Sequence, residues 1–201
     1  MITRTGGRRM THFPLVRGGR GAVHGEHFHT MEDRSNKEVW IMSLSLTFVL
    51  IVAATAANGL LAGASLDQSI KQLPARHKIG PVAYSEYSRA SDLGPGILWY
   101  GILGVGAAVL TIAAAVSALV QGVPPASATP LYVAAGLALL HSLATTRAAP
   151  TNFSQRRVAN DEAALARVFD RFERWQTLRV VLQVLNFGAM LWALVAYVPA
   201  F

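Results

Sequence analysis

Trp175-Gln-Thr-Leu-Arg179-Val-Val-Leu-Gln183-Val-Leu-Asn186 decides how this chain has to fold. Trp175, Arg179, Gln183 and Asn186 recur at spacings of four, four and three, which sets them on one face of a helix. The stripe runs into Val180 to Phe201, a stretch without a charged residue. On a helix in water such a face would simply be wet. Gln183 and Asn186, however, fall in a segment long enough to cross a bilayer, where an unpaired polar group is costly. The face therefore has to meet other helices or a water-filled cavity.

Three more uncharged runs supply those helices: Val39 to Leu66, Ile97 to Val120 and Pro130 to Thr146. Each has about 17 residues or more, enough for roughly 30 Å of hydrocarbon at 1.5 Å per residue. The third is the shortest, and the uncharged linker Gln121 to Thr129 can extend it. Hydrophobic residues make up 52% of the chain and charged ones only 14%, against about a quarter in a soluble domain. The expectation is an all-α, four-helix transmembrane bundle over residues 39–201, with spans near 40–65, 97–120, 130–146 and 178–200. Without cysteine there is no disulfide, thiolate ligand or thiol nucleophile.

A net charge of +7 and a pI near 10.4 could point to nucleic acid, but the distribution points to a membrane surface. Of the 18 Lys and Arg, seven precede the first span, four lie in 67–96 and seven in 147–179. Basic residues flanking spans mark a cytoplasmic face and anionic lipid. Charge counting puts the loops 67–96 and 147–177 in the cytoplasm, with both termini outside the cytoplasmic membrane.

Residues 1–38 predict a disordered basic tail, rich in Gly and Arg and without apolar periodicity. They lack the apolar core of a secretory signal, and Met42 offers a second plausible start. Within the tail, His24, His27 and His29 flank Glu26 in a pattern that suits zinc, nickel or copper, though it matches no closed site and a polar tail is the simpler reading. RGGRG is too short a repeat to argue for RNA.

Along the membrane domain, Gly59-Leu-Leu-Ala-Gly63 is a small-residue face for close helix packing, and Asn58 beside it is read first as an interhelical hydrogen-bonding residue. Pro74 is expected to end the first helix, Pro81 to open a short one, and Gly94-Pro95-Gly96 to break the chain before the second span. Tyr84 and Tyr87 mark a boundary with water, or else a lid. His141 sits inside the third span, with Thr145 one turn on. An ionisable residue there is a functional candidate by default, as a neutral base or a ligand; the alternative is a histidine that ties two helices together. Pro150-Thr-Asn152 should break the third helix, and a new amphipathic helix should start near Asn160 and run on into the fourth span.

Four spans, AANGLLAGASLDQSIKQLPA at the end of the first, ATTRAAPTNF after the third and RFERWQTLRVVLQVLNF into the fourth together resemble the anthrone-oxygenase-like proteins. These are small four-span membrane proteins, most of them known only as a domain of unknown function. The resemblance covers roughly residues 42–200 and is most specific at Pro150–Asn152 and at the Trp175/Arg179 pair. It implies oxidation of anthrones to anthraquinones without a recognised metal or flavin, and carries roles over only to Asn152, Trp175 and Arg179.

Two functions compete. In the enzymatic one an apolar, electron-rich ring compound enters from the bilayer and is oxygenated without a cofactor. His141 is then the general base, Arg179, held by Trp175, stabilises the enolate-like oxygen, and Asn58, Gln183 or Asn186 donate hydrogen bonds. In the other, the bundle binds a lipid or a partner membrane protein, and Asn58, His141 and Asn186 only tie helices together. A bound haem or metal would need a second ligand, which the spans do not offer. The partners expected are the bilayer, an apolar small molecule, and either a second copy of the chain or another membrane protein, with no nucleic acid.

Overall fold

The computed structural model describes the backbone of residues 26–197 and the side chains of residues 46–197. The chain divides into two units, Met1–Trp40 and Ile41–Phe201, and all the packing described here lies within the second. Among the described residues six α-helices follow in order: α1 (Glu26–Asp67), α2 (Leu73–Ile79), α3 (Pro81–Ala90), α4 (Gly96–Val120), α5 (Pro125–Phe153) and α6 (Glu162–Tyr197). Among the described residues there is no strand. Four helical runs among the described residues, Leu46–Ile79, Gly96–Val120, Pro125–Arg157 and Glu162–Tyr197, are long and apolar enough to cross a membrane. The protein is an all-α four-helix bundle of the membrane type. Its outward residues fit that solvent: Leu98, Ile102, Val105, Leu119 and Val195 are each more than 60% exposed, a surface that water would penalise and lipid accepts.

Several expected boundaries move. The backbone is already helical from Glu26, because no glycine or proline interrupts the chain between Gly25 and Gly59. The rest of the expected tail, with His24, lies outside the described residues, as do the side chains of His27 and His29 and that of Met42. Pro74 does not stop the first helix. A π-helical turn over Gln68–Gln72 widens the backbone just ahead of it, and Pro74 sits in the first turn of α2, where its missing N–H is no loss. Pro81 opens α3 as expected.

Pro150 does not break α5, which runs through it to Phe153 and continues as a 3-10 turn over Ser154–Arg157. The missing backbone bond falls near the helix end. Continuing the helix seats the fully buried Gln155 in the turn that follows, and that packing overrides the local preference. At the start of α6 the cap is Asp161, one residue beyond Asn160: its Oδ1 accepts from the Ala164 N–H at 2.8 Å. The amphipathic segment and the fourth span form one continuous helix.

The interior is layered. At one end Ile51, Ala54, Ala114, Ala118, Leu131 and Met190 form an apolar core drawn from α1, α4, α5 and α6. At the charged-loop end Leu73, Tyr84, Ala148, Leu165, Phe169 and Phe172 form a second, in which the Tyr84 and Phe169 rings meet edge to face at 4.9 Å. Along α6, Gln176 to Asn186 lies between these cores and carries the polar residues. Of the two glycines in the small-residue face only Gly59 is used in packing, since a Cβ there would meet the Phe187 ring at 3.0 Å; Gly63 faces open space.

Arg76 fastens the loop-side helices to α6. Its side chain is 4% exposed, and Nη2 donates to Asp170 Oδ1 and Glu173 Oε2, each at 2.8 Å. Both carboxylates are themselves partly exposed, so either can compensate the guanidinium alone. Asp170→Asn or Glu173→Gln is expected to cost under about 1 kcal/mol, whereas the double variant leaves a buried charge unpaired and costs about 2–3 kcal/mol. Thermal unfolding in detergent reads the difference; simple additivity would remove the shared role.

Candidate functional site

The α6 face emerges as predicted, with one change of member. Gln176, Gln183 and Asn186 are each 1% exposed, while Arg179 is half-buried beside them. Trp175 lies at the edge of this face. It packs partly on the loop-side core and borders an outer groove of about 460 Å³ between α5 and α6, with Leu140, Leu143, Arg147, Leu178 and Leu182. It does not hold Arg179, the role expected of it. That role falls to Gln176 and Thr145. The first of these could have been found from the same helical period, since 176, 179, 183 and 186 fit a buried stripe as well as the quartet chosen.

Asn58 of α1 gathers the deeper half of the stripe. Its Nδ2 donates to the Ala54 carbonyl at 2.8 Å and to Thr111 Oγ1 at 2.9 Å. Its Oδ1 accepts from Gln183 Nε2 at 2.9 Å and from Asn186 Nδ2 at 2.8 Å. Two donors and two acceptor positions are thus all engaged, which fills the side chain's capacity. Gln183 Nε2 also donates to the Asn58 carbonyl at 3.1 Å, and Thr111 donates to the Ala107 carbonyl at 2.7 Å. The void beside this knot is too narrow for a water molecule. Gln183 and Asn186 therefore donate to Asn58, which donates in turn to Ala54 and Thr111, so the knot joins α1, α4 and α6 and the void beside it leaves no room for a substrate group.

The upper half of the stripe borders open space. Arg179 donates from Nε to Thr145 Oγ1 at 3.1 Å and from Nη1 to Gln176 Oε1 at 2.8 Å, while Thr145 Oγ1 donates to the His141 carbonyl at 2.9 Å. Among the described residues no carboxylate lies within ion-pair reach of Arg179, and no hydrogen bond engages its Nη2. The guanidinium is held in place by neutral acceptors with one nitrogen to spare.

Two adjoining cavities meet at this group. The larger, about 370 Å³, lies between α4 and α5 and is lined by Tyr100, Gly104, Val105, His141, Thr145 and Arg179 among others. The smaller, about 260 Å³, lies toward the charged loops and is lined by Gln68, Asp92, Asn152, Phe153, Phe172 and Arg179 among others. Tyr100, Gly101, Thr145 and Arg179 belong to both walls. His141 is 6% exposed, and its Nε2 is buried without a partner. Indeed its ring makes no hydrogen bond to any described residue, so it ties no helices together. His141 and Arg179 thus reach one cavity, and Asn152 reaches the neighbouring one with its Oδ1 taken by Gln155 Nε2 at 2.8 Å.

Asp92 escaped the sequence reading because it precedes the Gly94-Pro95-Gly96 break and looks like a turn residue. Its Oδ2 accepts from Gln68 Nε2 at 3.1 Å. Burial pushes its carboxyl above the usual carboxylate range, the Gln68 hydrogen bond opposes this, and nearby Asp67 adds to it. Among the described residues no group of three His, Asp or Glu side chains could hold a metal ion.

No family model, curated protein or solved structure matches this chain. Function therefore has to be read from the geometry and chemistry of the two cavities.

Proposed function

We propose that this protein takes up an apolar, weakly acidic ring compound from the bilayer and oxygenates it without a cofactor, as its resemblance to the anthrone-oxygenase-like proteins implies. One observation carries the reading: His141, whose buried Nε2 has no partner, lines the same cavity as a guanidinium that has no carboxylate. Unpaired ionisable groups in a span are expensive, and two of them facing one space of small-ligand size support a site.

His141 removes a proton from the activated ring CH₂, and the negative charge spreads onto the ring carbonyl oxygen, which accepts from Arg179. The carbanion passes one electron to dioxygen, and the radical pair combines to form a C–O bond. The imidazolium returns its proton to the peroxide. Removal of the second C–H proton then expels hydroxide, leaving C=O and one water. One CH₂ and one O₂ become one C=O and one H₂O.

On this reading the loops 67–96 and 147–177 face the cytoplasm, which brings the smaller cavity to the cytoplasmic side of the cytoplasmic membrane. The second reading, a bundle that binds a lipid, another membrane protein or a copy of itself without catalysis, draws support from the Asn58 knot, whose hydrogen bonds serve only the helices.

Purified protein in vesicles, given anthrone, is expected to consume one O₂ per anthraquinone formed, faster than empty vesicles. A rate equal to that of empty vesicles overturns the enzymatic reading.

A further inference from the structure

Asp92 and Arg179 line the smaller cavity without pairing. The carboxylate receives one hydrogen bond, from the neutral Gln68, and the guanidinium gives its two to the neutral Thr145 and Gln176. Opposite charges brought to one chamber of about 260 Å³ and held apart leave an acceptor and a donor facing the same space. The same wall carries the apolar and aromatic Ile97, Tyr100, Phe153 and Phe172 beside polar side chains such as Asn152. Such a chamber suits a flat molecule with polar groups at two separated positions.

We propose that this chamber is a second binding subsite that takes a hydroxyl-bearing aromatic end of the ligand, the hydroxyl donating to Asp92 while an oxygen elsewhere on the molecule accepts from Arg179. A hydroxyl fits better than an ammonium group because the ligand arrives through hydrocarbon, where a permanent charge is far costlier than a neutral donor. Asp92 gains from it in turn, since burial leaves its carboxylate poorly solvated and Gln68 supplies only one donor. The subsite shares Arg179 with the oxygenation reading and names a feature of that substrate, yet it concerns binding alone.

The test is equilibrium binding to the full chain in lipid nanodiscs, without oxygen, read by naphthol fluorescence. Wild-type protein is expected to bind 1,5-dihydroxynaphthalene about ten-fold more tightly than 1-naphthol, the gain of one hydrogen bond to a charged acceptor. Asp92→Leu should abolish that preference and Asp92→Asn, which keeps a neutral acceptor, should reduce it. Affinity for 1-naphthol, whose single hydroxyl can accept from Arg179 instead, should fall less than that for the diol in both variants. His141→Ala should keep the full preference, so a protein that binds the diol without oxygenating anything refutes only the enzymatic reading. Equal affinities in the wild type, an undiminished preference in Asp92→Asn, or equal weakening of both probes in Asp92→Leu would overturn the subsite. Tighter binding of 5-(aminomethyl)-1-naphthol than of the diol would overturn the hydroxyl in favour of an ammonium.

Discussion

His141→Ala is expected to lower anthrone-dependent oxygen uptake by about 10²–10⁴-fold, the usual contribution of a positioned general base. The same substitution should hardly change stability, because the imidazole makes no hydrogen bond to any described residue and its buried Nε2 is unsatisfied. Removing an orphaned polar group gives back part of what the lost packing costs. That split separates the two roles open to a histidine in a span. A helix-tying histidine would move the unfolding midpoint and leave turnover to follow the folded fraction, whereas a base moves turnover alone. His141→Gln, which keeps most of the volume and lacks the basicity, should be as inactive as the alanine variant. Unchanged uptake in either variant removes the assignment, and so does a loss of uptake that tracks a loss of fold.

Asn58→Leu should be the most destabilising single change in the bundle, at about 2–4 kcal/mol. The leucine strips acceptors from Gln183 and Asn186 and a donor from Thr111, and an amide left unsatisfied in a dry interior costs about 1–3 kcal/mol. The upper end is moderated because helices separated in lipid find other partners, which keeps interhelical bonds in membranes near or below about 1–2 kcal/mol each. Adding Gln183→Leu and Asn186→Leu to Asn58→Leu should restore part of the loss, because the triple variant has no stranded amide. Unfolding in mixed detergent micelles measures both. A single variant as stable as the wild type would show that the knot contributes nothing to holding α1, α4 and α6 together.

These two variants probe neighbouring stretches of the interior with opposite characters. At Asn58 both donors and both acceptor positions of the side chain are filled and no water fits beside it. Around Arg179 one guanidinium nitrogen is free and two cavities open. The α6 stripe passes through both, so a single helical face serves first as a fastening and then as the wall of a site.

Four spans were legible in the sequence because crossing hydrocarbon is a local requirement: about 20 residues without charge are needed wherever the helix later packs. The inward turn of Gln183 and Asn186 was legible for a similar reason, since lipid offers their amides no partner. The stops at Pro74 and Pro150 were not legible for two reasons: Pro74 falls in the first turn of α2, where no N–H is lost, and at Pro150 packing, which is not local, outweighs the missing bond. The choice between Trp175 and Gln176 turns on a rotation of the helix that spacing alone does not fix. Which amide meets which, that the His141 ring meets none, and that Asp92 and Arg179 border one chamber were decided only by the tertiary structure. Those contacts join residues separated by tens to more than a hundred positions. Helical periodicity carries the direction of a side chain from its own axis and nothing about what stands opposite.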